Sequence, residues 1–441
     1  MSTKPRLILF LAVAACSDTP QSNLTPDAPV APTPDAPVVT RTACEQLNLT
    51  PSAMRTDLAW YGNNRSDLTT WLDAVGCASS TYDLAHKPVA LWDWDNTISK
   101  NDFGDAITYW FVANNKILQP PGQDWHATSS YLTDAAAAAL TAACGTTVAA
   151  GSPLPTSTNA SCADEILSIY DNTVTRANEL AFRTANNRRD VPDFAWTPQL
   201  MAGYTHAELQ QFTTAAITPM LAAAEGATQT IGTTVENGWL RIYDQQKDLI
   251  HAAQTRGLDV WIITASPQDV IGTAAAMVGV PFDHVVGIRS MTDANHKTTY
   301  RFEGCGPYPD NQDDLIPHIQ GKRCFVNKFV FGDTSATAIE RRPDGHRQVF
   351  ASADTDADLE FLRDATYKLV INRNKADLMC HAYYNEHDSW RVNPIFIEPK
   401  AAKTTPYPCS TTAFTNELGV GEPTRDEGGN VIADQADTVH P

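Results

Sequence analysis

Basic residues are scarce in this chain. Its 32 lysines and arginines stand against 51 aspartates and glutamates in 441 residues, a formal net charge of −19. That balance argues against nucleic acid as a partner, because nucleic-acid phosphates require cationic neutralisation, and it disfavours other polyanions as well. No two of the nine cysteines form a CxxC pair, so the tight ligand clusters of a zinc site are missing. The N-terminal apolar run from Leu7 to Cys16 falls well short of the roughly 20 residues that an ordinary membrane-spanning helix needs. What remains is ordinary for a globular protein larger than one average domain: 43% of the residues are hydrophobic, enough for a sizeable core.

The first residues read as an address. Lys4 and Arg6 precede the apolar run, which suits a signal peptide. The run ends in Ala14-Ala15-Cys16 and resembles a bacterial lipoprotein signal over residues 1–16, with Cys16 as the lipid anchor; an ordinary signal peptide cut elsewhere is the alternative. Ser17 resembles the residue that accompanies outer-membrane sorting. Residues 17–43 contain the near-repeat Pro26 to Val38 and little to bury, the composition of an extended proline-rich linker. Setting Cys16 aside leaves Cys44, Cys77, Cys144, Cys162, Cys305, Cys324, Cys380 and Cys409. An even, dispersed set fits disulfides in an exported compartment. Spacing does not determine the connectivity; nearest-neighbour pairing gives 44–77, 144–162, 305–324 and 380–409. These features place the chain in a bacterial cell envelope, periplasm-facing or as an outer-membrane lipoprotein held to a membrane by its lipid.

The chemistry is concentrated at Val89-Ala90-Leu91-Trp92-Asp93-Trp94-Asp95-Asn96-Thr97. A continuous apolar run is how a strand buried on both faces reads, and open α/β sheets place ligands beyond the carboxyl ends of such strands. Asp93 is positioned to attack an electrophile. Asp95 reaches the leaving atom if the chain curls, with Thr97 held nearby as a hydroxyl donor. Asp-x-Asp-x-Thr after a strand resembles the first motif of the haloacid dehalogenase superfamily, mostly phosphotransferases and phosphatases. Val260 to Ser266 is a second strand ending in hydroxyls. Thr264 stands where the superfamily's second motif holds a phosphoryl group, while Ser266 before Pro267 also fits a plain helix cap. Two segments resemble the fourth motif. Around Asp333 the residue four further on is Thr337, whereas Asp354 and Asp358 have the required spacing, with Ala353 in place of the usual glycine. Choosing the latter puts Lys328, 26 residues before Asp354, in the place of the third-motif lysine, with Lys322 as the alternative.

The resemblance implies an α/β fold, a haloacid dehalogenase-like (Rossmann-like) doubly wound parallel sheet with an inserted helical cap of the C1 type. The core then comprises 44–98 and 245–400, the cap 99–244, and a C-terminal extension 401–441 that wraps or frays. It implies a Mg²⁺-dependent phosphomonoesterase with Asp93 as nucleophile, Asp95 as general acid/base, Thr264 and Lys328 on the phosphoryl group, and Asp93, Asp95, Asp354 and Asp358 around the metal: the Asp93 and Asp354 carboxylates and the Asp95 backbone carbonyl as ligands, with Asp358 orienting the lysine or the metal's water shell. Phe194-Ala195-Trp196, Gly203-Tyr204-Thr205 and Leu369 to Arg373 resemble the bacterial phosphorylcholine phosphatase and phosphoserine phosphatase-like branch. Asp102, nine residues past Asp93, is then a contact for a substrate ammonium, or simply a helix cap. Tyr109, Trp110, Trp125, Trp196 and Tyr204 are candidates for a cation–π receptor. The expected partner is a small-molecule phosphomonoester, phosphorylcholine or a similar small cationic ester. A broad-specificity phosphatase and an inactive lipid-anchored binding protein are the competing readings.

Overall fold

The apolar runs that precede the motifs become neighbouring strands of one parallel sheet in a computed structural model that describes residues 41–440. The expected signal peptide, Cys16 and nearly all of the linker lie outside the described residues. The strands are β1 (Val89–Trp92), β2 (Asp259–Pro267), β3 (Val285–Ile288), β4 (Phe350–Ala353), β5 (Tyr367–Asn372) and β6 (Trp390–Pro394). In space they run β6-β5-β4-β1-β2-β3, and every pairing is parallel, with Ala90 facing Val260 on one side and Phe350 on the other. The order reverses between β1 and β4. That switch point is where an open α/β sheet leaves a crevice beyond its carboxyl ends.

Successive strand residues point to opposite faces, so the central strands feed two cores. Ala90, Trp92, Ile262 and Ile371 pack with Leu68 and Leu72 of the Asn64–Val75 helix and Leu249 and Ile250 of the Asp244–Thr255 helix. Val89, Leu91, Ile263 and Val370 pack with Phe361 and Leu362 of Leu359–Asp364 and Leu378 and Met379 of Ala376–Tyr384. Helices therefore cover both faces, and the fold is the doubly wound α/β arrangement expected.

The cap enters and leaves through one narrow hinge, where Ser99–Lys100 pairs antiparallel with Arg241–Ile242. Between them lie helices Phe103–Ala113, Asp134–Cys144, Ala160–Asn172, Pro192–Leu200 and His206–Ala222, and a hairpin of Thr228–Ile231 with Thr234–Asn237. A second segment packs with these helices. The segment after β3 forms a hairpin, Ser290–Thr292 with Thr298–Phe302, and joins the cap: the Gly203 amide donates to the Thr298 carbonyl at 2.8 Å, and Asp313 accepts from the Ser130 amide and hydroxyl at 2.8 and 2.6 Å. Its polar, aperiodic sequence carries no sign of those distant contacts.

The disulfides are Cys44–Cys77, Cys144–Cys162, Cys305–Cys324 and Cys380–Cys409. The C-terminal extension wraps: Tyr407, Cys409 and Thr424 are fully buried, and the Thr424 hydroxyl donates to Asp377 at 2.6 Å. Among the described residues no helix is long and apolar enough to cross a membrane.

Candidate active site

Asp93 is the first residue past β1, and its amide donates to the Ser352 carbonyl of β4 at 3.0 Å, so the sheet itself aims it. The chain then curls back. Ile98 and Ser99 both donate to the Trp94 carbonyl, with Asn96 in the left-handed region at φ 62°, a conformation asparagine tolerates better than most residues. This curl returns the Thr97 hydroxyl to 3.0 Å from Asp93 Oδ2 and 2.6 Å from Asp354 Oδ1. Lys322 Nζ donates to Asp93 Oδ1 at 2.7 Å and to Asp358. Asp358 in turn accepts from the Thr355 amide and hydroxyl at 3.1 and 2.9 Å. Asp95 faces the hinge, taking hydrogen bonds from the Phe103 amide at 2.8 Å and the Ser266 hydroxyl at 2.6 Å. Thr264, at the end of β2, accepts from the Ser266 amide at 3.0 Å.

These groups meet in a cavity of about 490 Å³ between sheet and cap. Burial, reinforced by the charges of Asp358 and Asp354, pushes the Asp93 carboxyl well above the usual range against the pull of Lys322. Burial works against the Lys322 ammonium, yet Asp358 and Asp93 outweigh it and hold it above the ordinary lysine range. Burial and the Asp102 charge raise Asp95 well above a normal carboxylate, the protonation bias of a general acid. One carboxylate oxygen each from Asp93, Asp354 and Asp358 lies within 4.8 Å of the others, all from buried residues. An all-oxygen, acid-rich donor set fits a hard dication such as Mg²⁺.

Asp93, Asp95, Thr264 and Asp354 line the cavity, while Asp358 is buried behind Lys322; other expected residues lie elsewhere. Lys328 is not in the cluster: it pairs with Glu303 at 2.7 Å and donates to the Gly304 carbonyl. Lys322, on the Gln320–Phe325 helix, faces Asp93, whereas Lys328 lies in the more loosely wound π-helical turn Val326–Val330 that follows and points elsewhere. Asp358 is occupied by Lys322 and Thr355, an arrangement suited to positioning the lysine. The Asp95 carboxylate is turned to Ser266 and Phe103. Asp333 caps a turn at Ser335 outside the cavity. Ser266 does not cap the next helix, which starts at Gln268 after Pro267.

The five cap aromatics do not line the cavity. Trp125 and Trp196 are fully buried, the latter donating to Thr128; the Tyr109 hydroxyl donates to Asp171 at 3.0 Å and that of Tyr204 to the Lys116 carbonyl at 2.9 Å; Trp110 packs against Phe212. Large rings gain more from cap packing than from a polar wall. Asp102 does line the cavity, and it caps the Phe103–Ala113 helix through the Gly104 and Asp105 amides at 2.7 and 3.2 Å.

Sequence reasoning did not single out Asp105, Tyr170, Asp171, Asp193, Phe194 and Arg373 as lining residues. The Tyr170 hydroxyl donates to Asp105 at 2.8 Å. Burial, then Glu236, lifts Asp171 to about 6. Spacing could have suggested Asp105, one turn beyond Asp102, and Phe194 and Arg373 belong to segments that carry the family resemblance; Tyr170, Asp171 and Asp193 converge only in three dimensions.

No family model matches the sequence, and no curated protein does. Among solved structures, the chain is similar to a conserved protein of unknown function from Anaerococcus prevotii DSM 20548, at 16% identity over 78% of this chain and 94% of that one, with a TM-score of 0.56. It is also similar to a protein of unknown function from Bordetella pertussis Tohama I, at 15% identity over 70% and 99% with a TM-score of 0.39. A substrate-bound phosphoserine phosphatase matches at 10% identity over 65% and 86%, with a TM-score of 0.31. The first likeness shows a shared fold.

Proposed function

We propose that this chain is an exported Mg²⁺-dependent phosphomonoesterase of the haloacid dehalogenase type, working through an aspartyl phosphate. One observation carries the reading: Asp93 stands at the switch point of a parallel sheet with Lys322 and Thr97 on its two oxygens and Asp354 opposite. A carboxylate oxygen of Asp93 attacks phosphorus as the ester oxygen leaves, and Asp95 gives that oxygen its proton. Asp95 then takes a proton from water, which attacks phosphorus and frees Asp93 with release of phosphate. Lys322 offsets the charge of nucleophile and phosphoryl group, and the Thr264 hydroxyl holds a phosphoryl oxygen. Asp93, Asp354 and the Asp95 carbonyl would hold Mg²⁺, which supplies the positive charge that lets a dianion approach carboxylates.

The substrate half of the reading is a small phosphomonoester with a cationic group, phosphorylcholine or a relative. Its support is the cap side of the cavity, lined by Asp102, Asp105, Asp171 and Asp193, in place of the aromatic receptor first expected. The disulfides support the exported compartment, and the lipid anchor on Cys16 belongs to the same proposal.

The test is Mg²⁺-dependent phosphate release from an aryl phosphate, followed by comparison of phosphorylcholine and phosphorylethanolamine with an uncharged ester of similar size. Release with preference for the cationic esters is expected, and Asp105→Asn should reduce that preference about tenfold or more while sparing the aryl phosphate. Release without preference leaves a broad phosphatase. No release by folded wild-type protein leaves a binding protein and ends the catalytic reading.

A further inference from the structure

Arg373 has no part in that mechanism, yet it touches the residue on which the mechanism depends. It follows directly on β5, the strand beside β4, and so projects into the same crevice that receives Asp354 from β4. Its Nη1 donates to Asp354 Oδ2 at 2.7 Å, while the Thr97 hydroxyl lies 2.6 Å from Oδ1. Both oxygens of a fully buried carboxylate are thereby engaged. Thr97 has a second acceptor in Asp93 at 3.0 Å and can turn to it. Arg373 is a fixed cation, and a guanidinium and a dication on one carboxylate oxygen repel each other.

The arginine also has donors to spare. Among the described residues, Asp354 is its sole side-chain hydrogen-bond partner, although a guanidinium carries five N–H groups in a planar fork that matches phosphoryl oxygens. Its side chain is 26% exposed and lines the same cavity as Asp93 and Asp354, so its unused donors are within a space that a phosphoryl group can enter.

We propose that Arg373 is a phosphoryl-binding residue that exchanges partners: it neutralises Asp354 until a dication takes that carboxylate, and then turns its fork to the phosphoryl oxygens. The inference rests on the phosphatase reading and adds a group that touches substrate. It predicts effects of opposite sign. Without Arg373 a competitor for Asp354 is gone and Mg²⁺ binds more tightly, whereas the phosphoryl group loses a charged hydrogen-bond partner and binds more weakly. An arginine that merely holds Asp354 in place would, when removed, weaken both.

The experiment is calorimetry on the purified full chain, titrating first Mg²⁺ alone and then inorganic phosphate at saturating Mg²⁺, for wild type, Arg373→Ala and Arg373→Gln. The glutamine variant keeps a hydrogen-bonding side chain should the alanine variant fail to fold, and thermal melting reports which is folded. The expected result is a Mg²⁺ Kd lowered about three- to tenfold and a phosphate Kd raised about ten- to a hundredfold, the scale of a charged hydrogen bond. Parallel weakening, or no change in either constant, overturns the role of Arg373 while leaving the phosphatase reading in place. If wild type binds neither Mg²⁺ nor phosphate, the phosphatase reading fails, and this inference fails with it.

Discussion

At the scale of single residues, Asp93 and Lys322 make the most demanding predictions. Asp93→Asn keeps shape and volume but removes the nucleophile. Steady-state phosphate release should fall at least about a thousandfold, with an unchanged circular dichroism spectrum. Near-normal turnover in a variant free of contaminating enzyme would dismiss Asp93 from that role. Lys322 sits between Asp93 and Asp358 with all three buried. Lys322→Ala leaves two buried carboxylates without their cation, so it should cost about 3–5 kcal/mol of stability along with activity. Lys328 is partly exposed and bonded to Glu303 and the Gly304 carbonyl; Lys328→Ala should change stability by about 1 kcal/mol or less. Denaturant unfolding of the two variants decides between the lysines, and equal losses would remove the distinction.

At the scale of elements, the C-terminal extension is tied to the Ala376–Tyr384 helix by a buried titratable contact. Burial raises the Asp377 carboxyl to about 7, although the Thr424 hydroxyl favours its ionised form. In the unfolded chain an aspartyl carboxyl titrates near 3.9. The folded value is the higher one, so this group's stabilisation is complete below about pH 4 and is lost as the pH climbs towards 7. Asp377→Asn cannot ionise. The melting temperature of the variant should therefore fall less than that of wild type between pH 4 and pH 8. Parallel pH profiles would show that Asp377 is not the group responsible.

At the scale of the whole molecule, the second cap segment and the Lys322 helix are mechanically joined, because Cys305 in that segment is bonded to Cys324, two residues from Lys322. Cys144–Cys162 instead closes a loop inside the cap. Replacing either pair with serines should cost about 2–4 kcal/mol. Replacing Cys305 and Cys324 should also lower kcat at a temperature where both variants are fully folded, because the Lys322 helix loses its tether. Equal kcat values for the two double variants would confine the 305–324 bridge to stability.

The sequence by itself determined those features that depend on neighbours along the chain. Apolar runs ending in Asp93 and Thr264 announced two buried strands, since a strand covered on both faces has no polar side to show. The close pairing of acids at 93 and 95 and at 354 and 358 announced a site, and the dispersed, even cysteine set announced the disulfides. Tertiary structure decided what depends on direction. Lys322 and Lys328 are equivalent as letters; only the winding of the Gln320–Phe325 helix and the π-helical turn Val326–Val330 after it shows which faces Asp93. The cap aromatics have the composition of a cation receptor, yet packing turned them into the cap interior and left carboxylates on the wall. Arg373 reaches Asp354 because β4 and β5 are adjacent, and the segment after β3 joins a cap begun some two hundred residues earlier. Such contacts follow from the ordering of strands and the closing of long loops, which no local pattern encodes.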